Sequence, residues 1–346
     1  MLDERWEQGS SLHLSLATGA MPQPWSTLPH EFWGSGRDAL RALVSWGSEH
    51  HGWRRIFVPS YYCQDVLVPL RDHLTVEVYP HAPTEPAGKP VTAAPPDVVL
   101  VASLFGVAPA PTVSGGAVVV EDHSHDPLSR WSSGSGADFA FASLRKTLPL
   151  PDGGVLWSPL GLDLPPEVPV TLDHDRAALD RLAAMTLKGH YLAGEPVAKD
   201  EVRALAIRGE RAIGQGAISG MSSYSRSRLS ALPADLWRKK RATNLAAFRA
   251  ALGEIRGVTV LRAPFAATLV FVSRDVRDRV RAALIRARIY PTVYWPLDKP
   301  AVDGIPERDV DLSRRILSIH CDYRYDAVDM VRVAGEIRVA LGVDEG

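Results

Sequence analysis

Val118-Val-Val-Glu-Asp-His-Ser-His-Asp126 and, shortly after it, Phe139-Ala-Phe-Ala-Ser-Leu-Arg-Lys-Thr-Leu-Pro-Leu-Pro-Asp-Gly-Gly154 set a carboxylate, an imidazole, an amine and a glycine pair in one order. Ala117 to Val120 is an unbroken apolar run. It reads as a parallel strand buried on both faces, with Asp122 delivered at its carboxyl end. Asp138 to Ala142 is a second such run, followed by Ser143, Lys146 and a Pro-Asp-Gly-Gly turn. The glycines of that turn let the backbone bend with positive φ beside a bulky group. Open α/β sheets bind ligands outside the carboxyl ends of their strands, so Asp122, His125 and Lys146 are expected together at one binding edge.

Working outward, strand-like runs at 55–58, 75–79, 98–102, 117–121, 138–142 and 154–157 are separated by helical or Pro-rich connections. That alternation is the pattern of a mostly parallel sheet with helices on both faces. Residues 80–96, rich in Pro and Ala, read as a loop, and 173–192 and 196–218 as helices leading away from the sheet, with Gly189, Gly194, Gly214, Gly216 and Gly220 as breaks. A helix from about Asp235 to Leu252 is expected to bridge to a second unit. There Thr268 to Val272 reads as a strand, and Val276, Val280 and Leu284 mark a helix by their spacing. Asp326 is placed to cap a last helix with Met330, Ala334, Ile337 and Leu341 inward. The expected organisation is an α/β large domain over 1–234 and a smaller α+β domain over 235–346.

The chemistry explains why these residue types belong together. A lysine amine forms a Schiff base with the aldehyde of pyridoxal phosphate, and a carboxylate facing the pyridine nitrogen keeps the ring protonated, so that it drains electrons from a substrate carbanion. Lys146 and Asp122 suit these parts, and His125 is placed to stack on the ring or to hydrogen-bond its phenolic oxygen. Leu40, Leu43 and Val44 have helical spacing, which puts Gly36 and Arg37 at a helix N-terminus, where unpaired amides and the dipole attract a phosphate. Taken singly, each of these residues is an ordinary strand cap, surface lysine or helix start; the order and spacing argue for a site.

The same residues carry a resemblance. Asp122, His125, Lys146, Gly153 and Gly154 resemble the layout of the DegT/DnrJ/EryC1/StrS sugar aminotransferase family, within the type I fold of pyridoxal phosphate enzymes. Gly34-Ser-Gly-Arg-Asp-Ala-Leu40 resembles that family's phosphate-holding Ser-Gly-Thr turn, and Ser143 has the Ser-x-x-Lys spacing whose hydroxyl contacts phosphate. Ile56 to Cys63 resembles the segment that lays an aromatic ring on the cofactor, a part open to Tyr61 or Tyr62 because Cys63 stands in the usual aromatic place. Gly220-Met-Ser222 resembles the loop that touches the neighbouring subunit's cofactor phosphate, with Ser222 in place of asparagine. Arg241-Ala-Thr-Asn244 resembles a pattern of the family's long helix, and Tyr290 to Asp298 resembles a small-domain strand, with Asp298 where histidine is usual. Ser103 and His320 are two further departures. The resemblance implies a three-layer type I large domain, a homodimer with a shared active site, and an amino group moved from an amino-acid donor to a keto group of a nucleotide sugar or secondary-metabolite intermediate. Another carbanion reaction on the same cofactor, or a binding homologue without catalysis, are the alternatives. Tyr61, Tyr62, His190, Tyr294, Trp295 and Arg324 are expected near substrate because they fall close to matched segments.

Composition agrees with a folded enzyme. The chain has 346 residues, 46% hydrophobic and 23% charged, with a formal net charge of −1. That balance gives no footprint for nucleic acid. The basic stretches Arg238 to Arg241 and Arg274 to Arg288 alternate with acids or apolar positions and read as solvated helix faces. Cys63 and Cys321 have no metal or disulfide spacing, and a reducing cytoplasm is expected. Met1 to Glu7 is charged where a signal peptide is apolar, and the apolar region 98–120 is interrupted by Gly106, Pro109, Pro111 and Gly115-Gly116, so no membrane segment is expected.

Overall fold

A computed structural model describes residues 5–9, 11–85, 88–107 and 111–343. Met1 to Glu4 and Pro109, used above, lie outside the described residues. The strands are β1 His30–Trp33, β2 Arg55–Pro59, β3 Thr75–Tyr79, β4 Val91–Thr92, β5 Asp97–Ala102, β6 Val113–Ser114, β7 Val118–Asp122, β8 Phe139–Ser143, β9 Gly154–Trp157, β10 Val258–Val260, β11 Ala267–Phe271 and β12 Ile316–Ile319. The helices are α1 Gly36–His50, α2 Gln64–Leu67, α3 Arg130–Ser133, α4 Leu172–Leu192, α5 Lys199–Ala212, α6 Ser223–Leu229, α7 Ala234–Leu252, α8 Arg274–Arg286, α9 Glu307–Arg315 and α10 Ala327–Leu341.

Seven strands form one sheet in the order β1-β9-β8-β7-β5-β2-β3. Within it β2, β3, β5, β7 and β8 pair in parallel, while β9 runs antiparallel to both its neighbours. The apolar runs are buried on both faces: Val98, Leu100 and Ala102 join one hydrophobic cluster, and Val99 and Val101 another. Helix α1 covers the first face with Ala39, Leu40, Leu43 and Val44. It fits closely because Gly47 has no side chain; a Cβ there would lie 2.1 Å from the Trp53 ring. On the opposite side Ala140, Ala142 and Trp157 pack with Trp25, Leu232 and Trp237.

Strands β10, β11 and β12 make a second, antiparallel sheet. Phe248, Val280 and Met330, from α7, α8 and α10, pack on it. The two sheets are not independent, since Leu261, Phe265, Val270 and Ile316 belong to the same buried cluster as the core of the large sheet.

Two expectations need correction. The helix expected over 196–218 ends at Ala212, because Gly214 and Gly216 turn the chain with positive φ. The segment 290–298, expected as a strand, pairs through one bridge, Thr292 to Ser318. Pro291 and Pro296 withhold the amide donors that a ladder would require.

The N-terminal residues form a strap. Trp6 Nε1 donates to Asp329 at 2.7 Å, Gln8 bridges Ile289, and Arg324 donates to the Gly9 and Ser11 carbonyls. Farther on, Leu14 N reaches the Met185 carbonyl and Gly19 N that of Ala231. Among the described residues no helix is long and apolar enough to cross a membrane.

Candidate active site

The carboxyl ends of three strands, β2, β7 and β8, open on one cavity of about 1160 Å³. Asp122 closes β7, Ser143 and Lys146 follow β8, and Tyr62 and Cys63 follow β2, while Ser103, after β5, is buried and does not line the cavity. Asp122 is 8% exposed and fixed at both oxygens. Its Oδ1 accepts from Ser124 N at 2.8 Å, and its Oδ2 from the Tyr62 hydroxyl. Lys146 Nζ lies 5.7 Å above the Trp295 ring.

His125 is buried among rings. Phe265 lies 4.3 Å from it, Trp295 5.5 Å and Phe105 5.6 Å, all close to parallel. Its Nδ1 accepts from Phe105 N at 2.9 Å, so in the neutral ring the proton is on Nε2. Burial and the nearby Lys146 charge hold its pKa well below 6.5 and keep the ring neutral. Its Nε2 is buried without a hydrogen-bond partner. Rings of the chain therefore fill the faces of the imidazole, and His125 is not among the residues that line the cavity. Phe105 holds that stack with φ of +54°, a conformation costly for a bulky residue.

The N-terminus of α1 abuts Ser143. Ser35 caps the helix through Asp38 N, and a Cβ on Gly36 would lie 2.9 Å from the Ser143 Cβ. Gly154 is bare for the same reason, because a Cβ there would meet the Ser35 carbonyl carbon at 2.4 Å. Arg37 lines the cavity and its guanidinium donates to the Ile213 carbonyl.

Other expected residues divide. Tyr62, Tyr294, Trp295 and Arg324 line the cavity with Lys146. Tyr61 does not; it is fully buried, with its hydroxyl given to the Tyr294 carbonyl, so it serves the core. His190 also lies off the cavity, paired with Glu195. Ser222 is 3% exposed, caps α6, and donates its hydroxyl to Asp152, which also holds Ser225 and His174. Asp298 pairs with Arg314 away from the cavity.

Sequence reasoning missed most of the cavity's charge. Eleven basic side chains line it against five acidic ones, although the whole chain is at −1. Arg145 grips Glu210 with two bonds of 2.7 Å, and Arg181 shares that carboxylate. Glu7, from the strap, pairs with Lys188 and Lys199, and burial with the Lys199 charge lowers the Lys188 amine to about 8. Burial alone would raise the Asp322 carboxyl; the Arg324 guanidinium, bound to both its oxygens, overrides this and holds it well below the usual range. Phe265 was missed as well, for it stands in a connection without periodicity.

A seven-stranded, mostly parallel sheet with one antiparallel strand, a smaller antiparallel sheet, and a lysine after the strand beside a carboxylate-tipped one define the type I fold of pyridoxal phosphate enzymes. Solved structures with this fold are similar over nearly the whole chain. DesV of S. venezuelae, in complex with a ketimine intermediate, is 16% identical over 92% of this chain and 85% of that one, with a TM-score of 0.58. Helicobacter pylori PseC, an aminotransferase involved in pseudoaminic acid biosynthesis, is 11% identical over 98% and 100%, with a TM-score of 0.60. A DegT DnrJ EryC1 StrS aminotransferase from Brucella abortus is 15% identical over 91% and 87%, with a TM-score of 0.53. At these identities the likeness is one of fold. No protein-family model matches the sequence, and no curated protein matches it.

Proposed function

We propose that this chain is a pyridoxal phosphate-dependent aminotransferase of the DegT/DnrJ/EryC1/StrS kind, moving an amino group from an amino-acid donor to a keto group of a nucleotide sugar or related intermediate. The observation that carries the reading is the meeting of the Asp122 carboxylate and Lys146 in one cavity; the unpartnered Nε2 of His125 is buried behind Phe265 and Trp295, which line that cavity. The residues fit the cofactor. A buried N–H without an acceptor at His125 suits a phenolic oxygen, and the α1 N-terminus, kept open by Gly36 and set against Ser143, suits a phosphate.

When bound, the cofactor supplies an aldehyde that joins amines and a ring that withdraws electrons. Asp122 would hold a proton at the ring nitrogen, with Tyr62 and Ser124 fixing the carboxylate's direction. Lys146 Nζ would carry the aldehyde and then move the proton at the donor's α-carbon. His125 Nε2 would donate to the phenolic oxygen. Gly36, Arg37 and Ser143 would hold the phosphate, and of Tyr61 and Tyr62 it is Tyr62, which lines the cavity, that would face the ring. The reading keeps a large domain over 1–234 and a small one over 235–346, a homodimer, and a cytoplasmic location. A second reading, another carbanion reaction on the same cofactor, draws on one observation: Asp298, where the family has histidine, is engaged outside the cavity.

The test is the visible spectrum after adding pyridoxal phosphate. A band that borohydride fixes to the wild type and not to Lys146→Ala is the expected result, and donor-dependent loss of that band separates transamination from the second reading. Absence of a band in the wild type would sink both.

A further inference from the structure

Glu7 is an acid held inside a cavity of bases. Its side chain is 5% exposed, and its carboxylate joins the Lys188 amine on α4 to the Lys199 amine at the start of α5. The two amines converge: both stand over the Tyr191 ring, at 5.7 and 5.8 Å, and Lys199 Nζ also donates to the Tyr290 hydroxyl at 3.0 Å. Like charges brought to one place repel unless an anion lies between them. Arg203, one turn beyond Lys199, and Arg281 on α8 line the same cavity and add to its charge. Lys188 and Lys199 therefore form an anion site, and its occupant is a carboxylate of the chain itself.

The strap is held differently on its two sides. Toward the second sheet it is knitted by backbone: Gln8 N donates to the Arg288 carbonyl at 3.1 Å, Tyr290 N donates to the Gln8 carbonyl at 2.6 Å, and Trp6 holds Asp329. Toward α4 and α5, residues 5–9 hold by charged side chains, Glu7 on the two lysines and Arg5 on the Tyr191 and Glu195 carbonyls. Lys199 is 44% exposed, so an ion from solvent can reach it. An anion that took the lysines would free Glu7 and leave the backbone pairing intact. The wall that Glu7, Gly9, Ser11 and Leu12 give the cavity would then part from α4 and α5. Two ammonium groups, each a point charge with three donors and no fixed fork, suit a multiply charged oxyanion.

We propose that the N-terminal strap is an autoinhibitory latch: Glu7 is an intramolecular ligand of the Lys188 and Lys199 site, and a multiply charged oxyanion displaces it and opens the cavity wall. The latch needs no cofactor, so it stands or falls apart from the aminotransferase reading.

The experiment uses the full-length protein as wild type, Glu7→Gln and the double variant Lys188→Gln with Lys199→Gln. Inorganic pyrophosphate and citrate are titrated by calorimetry, and amide hydrogen exchange of residues 5–9 is followed by mass spectrometry. Anion binding is expected to speed exchange of the wild-type strap roughly tenfold, to the rate of Glu7→Gln, an effect between those of an exposed and a buried ion pair. Glu7→Gln should bind the same anion about tenfold tighter than the wild type, because nothing has to be displaced. The double variant should show a fast strap that neither anion changes. Release by pyrophosphate supports the latch with a phosphate as its ligand, and release by citrate supports it with a carboxylate. Cys63, which lines the cavity, gives a second readout: uncharged dithiodipyridine should label it faster in Glu7→Gln, while Cys321, 1% exposed, stays silent. A wild-type strap whose exchange neither anion changes would overturn the proposal, even where calorimetry shows binding. Equal anion affinity of wild type and Glu7→Gln would overturn it too, as would equal labelling of Cys63. The wild-type exchange measurement requires no substitution, so it decides the question even if a variant does not fold.

Discussion

At the scale of single residues, the hydroxyl of Tyr62 on Asp122 is the contact with the clearest consequence. Tyr62→Phe keeps the ring and removes one donor from a buried carboxylate. The expected cost is about 1.5–3 kcal/mol, the range for hydrogen bonds to charged groups, and urea unfolding measures it. An unchanged midpoint would mean that Asp122 finds another donor. Asp122, His125 and Lys146 were legible because chemistry fixed their types and two apolar runs fixed their positions. Glu7 was not legible as part of the cavity, since its partners Lys188 and Lys199 lie far along the chain and meet it only in the packed molecule. Phe105 was opaque for a related reason: a bulky residue with positive φ is held there by its neighbours, not by its own preference.

At the scale of elements, the meeting of α1 with Ser143 makes Gly36 a spacer. Gly36→Ala would set a Cβ 2.9 Å from that of Ser143 and part the helix from the strand end. If the cavity takes pyridoxal phosphate, affinity for it is expected to fall roughly tenfold, which matches the one to two kcal/mol that a helix N-terminus gives a partly buried anion. Fluorescence titration of the two proteins checks this, and equal affinity would detach α1 from the phosphate. Strands β5 and β8 were readable because strands buried on both faces show as continuous apolar runs, whereas the edge strand β3 showed by the alternation of Val76 and Val78 with Thr75 and Glu77. Strand β1, His30–Trp33, was not: it lies at the sheet edge and is half polar. Segment 290–298 misled in the opposite way, because its aromatic and β-branched residues suit a strand while Pro291 and Pro296 deny it the ladder.

At the scale of the molecule, imidazoles whose pKa burial lowers make stability depend on acid. Burial, with the Arg324 charge beside it, lowers His320 from 6.5 to about 4, and His125 shifts in the same direction. Between those values the unfolded chain binds the more protons, so stability is complete above about pH 6.5 and declines as pH falls toward 4. A loss of about 1–3 kcal/mol from His320 is expected over that window. Urea midpoints at pH 7 and pH 4.5 measure it, and His320→Asn should flatten the slope; a flat wild-type profile would contradict the assignment. The division into two sheets was visible in the change from apolar runs to mixed helix and strand after Asp235. The shared core between the sheets was not, because it joins Leu261 and Phe265 to strands more than a hundred residues away. The N-terminal strap bears on synthesis. Its anchors at Ala231, Ile289, Arg324 and Asp329 are made long after Trp6 and Gln8 leave the ribosome. The strap is therefore fastened in stages: Leu14 and Glu7 can meet Met185, Lys188 and Lys199 well before the anchors at Ile289, Arg324 and Asp329 exist.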